Sequence, residues 1–399
     1  MSNHQQATAL SAPLMSPYGV GFAISALALG GFGIGIGEFA IMGLIPEISS
    51  DFLISVPQAG YAISAYALGV VVGAPLLAVF FARVPQKIML IGLMLAFTVG
   101  NFASALSPSS AYLVLFRFLS GLPHGAYFGI ASLVASSIVP MNHRARAVGR
   151  MMLGVSLSNV IGVPLITFLG QGLTWRMAFS AVALIGLCTV LSLTVFLPRI
   201  PVKSGASSKQ ELRAFLLPQL WLTLLVGAVG FGGMFSVYSY IAPTILDSRN
   251  APIWSVPAVM GIFGIGMVIG STIGGILVDR SLHLALWGLQ IFNILVIGAF
   301  YFTGQYFIWA SVNILFVGFG VAIVPAMQMR LIEIAKNSQS LAASLNHASL
   351  NIGNALGAWL GGIAIAAHFG WTSTGLVGAL LGLLGLIIFY GSMMLEKRN

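Results

Sequence analysis

Two opposite charges stand out within the apolar stretches of the sequence. Glu38 lies in GIGIGEFAIMGLIPEI (33–48), and Arg117 begins RFLSGLPHG (117–125). A charge at membrane depth is costly unless it is paired or hydrated, so such a residue is a functional candidate by default. Burial favours the neutral acid and a nearby cation favours the carboxylate, so movement of water or substrate could shift Glu38 between the two states. Proton coupling requires a group of this kind.

A purely structural role is the alternative for the same two residues. Glu38 and Arg117 could form a permanent ion pair that only fixes helix packing, although apolar side chains could replace such a tie at no great cost. Arg117 could either set the protonation of Glu38 or hold its own helix in register.

Further polar residues recur at helical spacing. His124 follows Arg117 by two helical turns and projects from the same face, where it could relay protons, contact substrate or hydrogen-bond between helices. In NHASLNIGN (346–354), a polar stripe at i, i+4 and i+7 either binds substrate or holds helices together. The predicted substrate site comprises Tyr66, His124, Asn159, Tyr238, Tyr240, His347, Asn351 and Asn354.

Composition places these residues in a membrane protein. Of 399 residues, 58% are hydrophobic and 6% are charged, and the mean hydropathy is +1.00. Cys188 is the one cysteine, so no intrachain disulfide can form. The sequence contains neither a P-loop nor a His-Glu-x-x-His motif, which argues against ATP hydrolysis and metal-dependent catalysis. We therefore predict no catalytic residues, no metal site and no cofactor.

The elements that must position these side chains are twelve apolar segments. A bilayer core about 30 Å thick needs roughly 20 apolar residues per helix. Because the segments do not alternate in polarity, helices are favoured over barrel strands. We call them spans 1 to 12, and their predicted starts are near residues 18, 57, 88, 111, 151, 177, 218, 257, 283, 306, 341 and 373.

The basic residues predict the orientation. Cytoplasmic loops collect Lys and Arg, and a cytoplasmic N-terminus places 14 of the 17 basic residues inside. Arg176 and Arg249 fall outside, and Arg117 lies within span 4. Glu38 and Arg117 are then the only charges predicted within the spans. Both termini are expected in the cytoplasm with no cleaved signal, and the positive loops are expected to face anionic lipid rather than nucleic acid.

The chain divides into two similar halves. A polar connection, residues 198–217, separates a six-span unit at 18–197 from another at 218–395, with cytoplasmic tails at 1–17 and 396–399. Pro46 and Pro243 correspond at an offset of 197 residues, as do RFLSG (117–121) and ILFVG (314–318). Such matches predict a duplicated six-helix unit.

Several motifs resemble those of the major facilitator superfamily. GILVDR (275–280) resembles its Gly-x-x-x-Asp-Arg loop, and the equivalent stretch after span 2 is degenerate. GVSLSNVIGVPLITFLG (154–170) is similar to the antiporter signature, although Val163 separates a glycine and a proline that are adjacent there. Spans 1 and 7 look like those of the bacterial twelve-helix drug/proton antiporter branch, and of arabinose-efflux-permease-like proteins in particular. The residues expected to serve its conformational changes are Arg83, Lys87, Gly162, Pro164, Gly275, Asp279 and Arg280.

The resemblance implies an all-α fold of two pseudo-symmetric six-helix bundles, with spans 1 and 4 lining a central cavity. It implies a monomeric, proton-coupled antiporter of the bacterial inner membrane that exports a small, partly apolar molecule such as a drug or a sugar-like metabolite. An uncoupled facilitator or an uptake transporter is the main alternative. A signalling protein that moves nothing is disfavoured because the sequence has no sizeable soluble domain.

Overall fold

The predicted twelve-span, all-α architecture is confirmed. The computed structural model describes residues 17–80, 84–140, 143–198, 216–252, 254–335 and 339–396, and twelve helices within them are long and apolar enough to cross a membrane. Eleven of the twelve begin within two residues of the predicted starts. Span 5 begins at Arg144 rather than near residue 151, so the basic residues assigned there to a loop lie on its first two turns.

The first half contains spans 1 to 6. Their helices are Pro17–Phe39 with the 3-10 turn Ala40–Gly43, Val56–Phe80, Gln86–Ala105, Ser110–Ser137, Arg144–Leu157 with Val163–Gly172, and Trp175–Phe196. A short helix, Ile45–Phe52, connects spans 1 and 2.

The second half contains spans 7 to 12. Their helices are Pro218–Leu225 with Gly232–Tyr238, Ser255–Arg280, Leu282–Thr303, Phe307–Phe319 with Ile323–Ile334, Gln339–Ala366, and Ser373–Glu396. A short helix, Ile241–Asp247, follows span 7. Of the predicted tails, 1–17 and 396–399, residues 1–16 and 397–399 lie outside the described residues, as does most of the predicted linker.

Spans 1 and 7 are both interrupted near one end. Span 1 changes from α-helix to a 3-10 turn after Phe39, and span 7 has an irregular turn after Tyr238. Each break is followed by a short helix with a proline near its start, Pro46 or Pro243, where a missing backbone N–H leaves no hydrogen bond unmade. The two halves thus share the same break at equivalent positions.

Span 5 carries a π-helical segment at Ser158–Gly162. Pro164 follows it, and because proline has no N–H and its ring displaces the carbonyl four residues earlier, the regular α-helical bonding pattern cannot continue through this point. The widened turn holds Asn159 beside span 8. A second π segment, Val226–Gly230, lies in span 7.

Close approach at glycine holds neighbouring spans together in each half. A Cβ on Gly69 of span 2 would collide with the backbone carbonyl of Phe118 in span 4, and one on Gly266 of span 8 would collide with that of Leu315 in span 10. Small residues let helix backbones pack at short distance in the membrane, where no hydrophobic force drives helices together. The same pair of spans is packed in the same way in each half.

The two ends of the bundle differ in how the halves meet. We call the end with Phe196, Pro218 and Glu396 the linker end, and the opposite end the far end. At the far end the Phe39 ring contacts the rings of Phe235 and Tyr238, with centroid distances of 6.2 and 6.0 Å. The far end is therefore closed.

Spans 5 and 8 also meet in the middle and toward the far end. The Thr167 hydroxyl donates to the Met260 sulfur at 3.4 Å. A Cβ on Gly261 would lie 3.3 Å from the Pro164 ring. The segment Arg144–Leu157 of span 5, which lies at the linker end, contacts span 8 much less than the rest of span 5 does.

A cavity of about 630 Å³ opens at the linker end between spans 1 and 5. Its lining is mostly apolar and includes Arg150 near the linker end. The lining residues are Gly21, Ile24, Ser25, Ala28, Leu29, Phe32, Arg150, Leu153, Gly154 and Leu157. The chain is thus closed at the far end and has open space at the linker end.

Candidate functional site

Glu38 lies in the last α-helical turn of span 1, immediately before the 3-10 turn. Its side chain is partly buried, and its Oε1 accepts a hydrogen bond from the Asn354 amide at 3.2 Å. Asn354 belongs to span 11 and is 1% exposed. The single intramembrane acid predicted from the sequence therefore bridges the two halves.

Arg117 is fully buried in span 4, with an exposed fraction of 1%. Its guanidinium carbon lies 4.1 Å from the centroid of the Tyr66 ring and 5.4 Å from that of Phe179. Two of its nitrogens, Nε and Nη1, have no hydrogen-bond partner among the described residues. Aromatic faces rather than a carboxylate surround this cation.

Glu38 and Arg117 do not form a direct ion pair. The ion pairs within 4.0 Å in the described part of the chain are Arg176 with Asp51 and Arg330 with Glu396. Glu38 and Arg117 are nevertheless close enough for a Coulombic interaction. Their separation leaves Glu38 able to gain or lose a proton without breaking a contact to Arg117.

Tyr66 and His124 continue the cluster toward the linker end. The Tyr66 hydroxyl and the His124 Nδ1 are hydrogen-bonded at 3.1 Å, and both residues are buried. The His124 ring contacts Phe128 at 5.3 Å, and Phe128 in turn stacks with His347 of span 11 at 6.5 Å. This row of rings connects the Arg117 region of the first half to the second half.

The three asparagines of the predicted substrate site each carry an unused acceptor. The buried Oδ1 atoms of Asn159, Asn351 and Asn354 have no hydrogen-bond partner among the described residues. Asn159 and Asn351 donate their amides to backbone carbonyls of their own helices, at 2.9 and 3.0 Å. Unsatisfied buried acceptors are costly, so these three positions can take a donor from water or from a bound molecule.

The two tyrosines of span 7 occupy different places. Tyr238 stacks on Phe263 with ring centroids 3.6 Å apart, and its hydroxyl is buried without a partner in the described chain. The Tyr240 hydroxyl donates to the backbone carbonyl of Ala358 at 2.8 Å, and the side chain packs against Gly60. Tyr240 therefore fixes helix contacts at the closed far end.

The predicted conformational residues described next lie on span 5, beside span 1, and on the part of span 8 toward the linker end. A Cβ on Gly162 would come 2.6 Å from the Ile36 side chain, so span 5 passes close to span 1 at this point. Asp279 and Arg280 end span 8 at the linker end, are exposed, and form no ion pair with the described residues. Gly275 is on the same helix with open space beside it. A role of these three in closing the linker end stays a prediction.

Lys87 lies in the first turn of span 3, at the linker end. Its Nζ donates to the backbone carbonyls of Thr194 at 2.8 Å and Leu197 at 2.5 Å, which ties the end of span 6 to span 3. Arg83 lies outside the described residues.

One prediction about charge was wrong. Arg330, assigned to a loop, lies within span 10 and is 2% exposed. It donates to Glu396 at 3.0 Å and to Ser392 at 3.4 Å, both on span 12. Its place among charged and polar residues near a segment boundary concealed its burial.

Two further residues were not predicted from the sequence. Phe128 packs between His124 and His347, but nothing distinguishes it from other phenylalanines of an apolar helix. Arg150 lines the cavity, but in the sequence it belongs to a basic stretch that resembles a loop.

Comparisons with known proteins identify the class. The family model described as Major Facilitator Superfamily matches residues 27–338. The chain belongs to this family, and it is a membrane transporter rather than an enzyme.

Particular relatives can be stated. The chain is 38% identical over 374 residues to the Inner membrane transport protein YdhP of Escherichia coli K12, covering 94% of this chain and 96% of that protein. It is 32% identical to the Putative transporter AraJ of the same organism, with 92% and 94% covered. It is 28% identical to a Probable sugar efflux transporter of Mannheimia succiniciproducens, with 92% and 93% covered. These relatives and the twelve apolar helices indicate a multi-pass inner-membrane protein.

A solved structure shows the same fold. The D-xylose-proton symporter superposes with a TM-score of 0.71 at 17% identity, covering 92% of this chain and 96% of that one. The predicted two-bundle fold of this superfamily is confirmed.

Proposed function

We propose that the protein is a proton-coupled antiporter that exports a small, partly apolar molecule across the inner membrane, acting as a monomer by alternating access. Glu38 carries the proton. The linker end faces the cytoplasm and the far end faces the periplasm, as the distribution of Lys and Arg favours. In this arrangement the conformation described above is open to the cytoplasm.

The observation that carries the proposal is the contact between Glu38 and Asn354. The Glu38 carboxylate accepts a hydrogen bond from the other half, so a movement of the halves apart removes the donor and changes the environment of the acid. Protonation of Glu38 and the relative position of spans 1 and 11 are then coupled. Arg117 lies near enough for a Coulombic interaction with Glu38 without forming an ion pair with it.

Two separate features support the choice of substrate. The cavity between spans 1 and 5 is mostly apolar, and outside its lining, on span 11, Asn351 and the Glu38 partner Asn354 carry unpaired acceptors. Sites of this composition suit a molecule with an apolar body and a few hydroxyl or amide donors. A drug-like compound or a sugar-like metabolite has this chemistry, and one relative is named a probable sugar efflux transporter.

The test is transport by Glu38→Gln in inverted membrane vesicles. A growth screen of a deletion strain against a compound panel first identifies a transported compound. Respiration-driven accumulation of that compound should be lost in Glu38→Gln, because glutamine keeps the size and hydrogen bonding of the acid but fixes it as neutral. Glu333→Gln is the matched control, since Glu333 is an acid at the linker end, away from the Glu38 contacts, and should transport normally.

Two different outcomes would contradict the proposed function. Accumulation by a well-folded Glu38→Gln protein would show that this residue does not carry the coupling. If transport by the unaltered protein is unaffected by an uncoupler of the proton gradient, the result would instead favour an uncoupled facilitator.

A further inference from the structure

Glu47 is a second acid in an unusual position, in the short helix Ile45–Phe52 at the closed far end. It is partly buried, and its Oε2 has no hydrogen-bond partner among the described residues. Gln171 of span 5 lies beside the Glu47 side chain and donates to the Gly43 carbonyl in the span 1 break at 3.2 Å. Glu47 is thus tied to the break that directly follows Glu38.

The groups around Glu47 include no cation bound to it among the described residues. Its short helix packs against span 2, the 3-10 turn of span 1 and the short helix Ile241–Asp247 of the other half. The titratable side chains on these elements are Tyr61, Tyr66, Asp51 and Asp247. The cations at this end include Arg176, which is paired with Asp51, and Arg249, whose guanidinium carbon lies 5.4 Å from the centroid of the Tyr306 ring.

Glu47 and Asp51 lie one helical turn apart in opposite environments. The hydrogen bond from Arg176 lowers the pKa of Asp51, so that this acid stays ionised. Burial raises the pKa of Glu47, against the weaker opposing effect of hydrogen bonds from its own backbone N–H and Gln171. Two acids whose environments shift their pKa values in opposite directions commonly have different roles.

We propose that Glu47 is a second proton-binding carboxyl of the transporter, protonated when the far end closes and ionised when it opens. The reason is that the short helix carrying Glu47 packs against the short helix Ile241–Asp247 of the other half when the far end is closed. Separation of the halves would admit water to the buried Oε2 and solvate the charged form. Closure removes that water, so a proton on Glu47 and a closed far end stabilise each other.

The sign of the pH dependence follows. Because the closed state is the one that buries the acid, low pH favours closure, and this contribution is lost as the pH rises through the pKa of the closed state. On the proposed function, the far end faces the periplasm, from which protons enter. Proton binding there would drive the return to the cytoplasm-open state.

The experiment measures the far-end distance without any substrate. Spin labels are placed at two exposed positions, Leu53 directly after the short helix Ile45–Phe52 and Leu246 on the short helix Ile241–Asp247, with Cys188→Ser removing the exposed native thiol. Distances are measured in lipid nanodiscs across about pH 5 to 9, a range that spans a carboxyl with a raised pKa. The main series carries Glu38→Gln throughout, which removes the titration of Glu38.

In this background the closed-to-open ratio should fall with rising pH, by at most about tenfold per pH unit for one proton. Adding Glu47→Gln should hold the ratio at its low-pH value throughout. Adding Asp247→Asn, a matched loss of one acid at the same end, should leave the pH dependence intact. Glu47→Gln alone, with Glu38 present, provides a second test and should weaken the dependence by the part that Glu47 contributes, leaving the part due to Glu38.

An unchanged pH dependence after Glu47→Gln, or none in the Glu38→Gln background, would overturn the inference. The inference rests on the proposed function for the direction of proton flow. The two failures are distinguishable, because coupling at Glu38 is read from transport and the role of Glu47 is read from distances in a protein without that acid.

Discussion

At the scale of single residues, the environment of Arg117 decides what Glu38 is free to do. A buried cation needs compensation, and the Tyr66 face at 4.1 Å supplies it through a cation–π interaction of about 2 kcal/mol when desolvated. Were Glu38 its main partner, neutralising that acid would strand a buried charge at about 3 to 5 kcal/mol. The geometry places the aromatic ring, not the carboxylate, against the guanidinium.

Thermal unfolding in detergent tests this assignment. Glu38→Gln should shift the unfolding midpoint little, whereas Tyr66→Leu should lower it clearly, because leucine removes both the ring beneath Arg117 and the hydroxyl bonded to His124. Tyr66→Phe is the matched control and should lose only about 1 kcal/mol, the net value of a typical hydrogen bond. A greater decrease of the unfolding midpoint in Glu38→Gln than in Tyr66→Leu would contradict this assignment and favour the structural ion pair of Glu38 and Arg117.

The sequence reveals single residues better than their partners. Glu38 and Arg117 are conspicuous because charges are rare in apolar helices. The bond from Asn354 to Glu38 depends on how span 11 lies against span 1, which no periodicity within either span records. Arg330 was misplaced because its nearest charges in the chain, Glu333 and Lys336, make the stretch resemble a loop.

At the scale of helices, the π segment of span 5 and the glycines of span 8 form one contact between the halves. A Cβ on Gly264 would collide with the backbone carbonyl of Asn159 in that segment. Backbone cannot move aside as a flexible side chain can. The contact therefore requires glycine at this position.

Gly264→Ala should separate spans 5 and 8, destabilise the protein by about 1 to 3 kcal/mol as overpacking does, and weaken far-end closure. Gly288→Ala, on the neighbouring span 9, is the control, because a Cβ added there would meet no heavy atom within 4 Å. Unfolding midpoints and the far-end label distance are the measurements. Equal behaviour of the two variants would contradict a packing role for Gly264.

Helix boundaries were predictable where loops are short and polar. Eleven starts were found because an apolar run of bilayer length has few alternative interpretations. The start of span 5 was placed too late, since Arg144, Arg146 and Arg150 are polar in sequence but helical in structure. Arginines at a span end can extend their side chains to the interface while the backbone stays helical.

At the scale of the whole molecule, duplication predicted two halves but not their relative position. The repeat at an offset of 197 residues predicts a duplicated six-helix unit, and the structure adds that spans 1 and 7 carry equivalent breaks. Which end is closed depends on a small free-energy difference between two packings of the same spans. The exposed Asp279 and Arg280 are expected to find partners only when the linker end closes.

The central claim is that Glu38 exchanges a proton for substrate, and proton release on binding tests it most directly. Purified protein in weakly buffered detergent solution is titrated at about neutral pH with the compound that the growth screen identifies. The account predicts release of about one proton per molecule bound from the unaltered protein and none from Glu38→Gln, whose binding is measured in parallel. Equal proton release from a folded, compound-binding Glu38→Gln protein would contradict it.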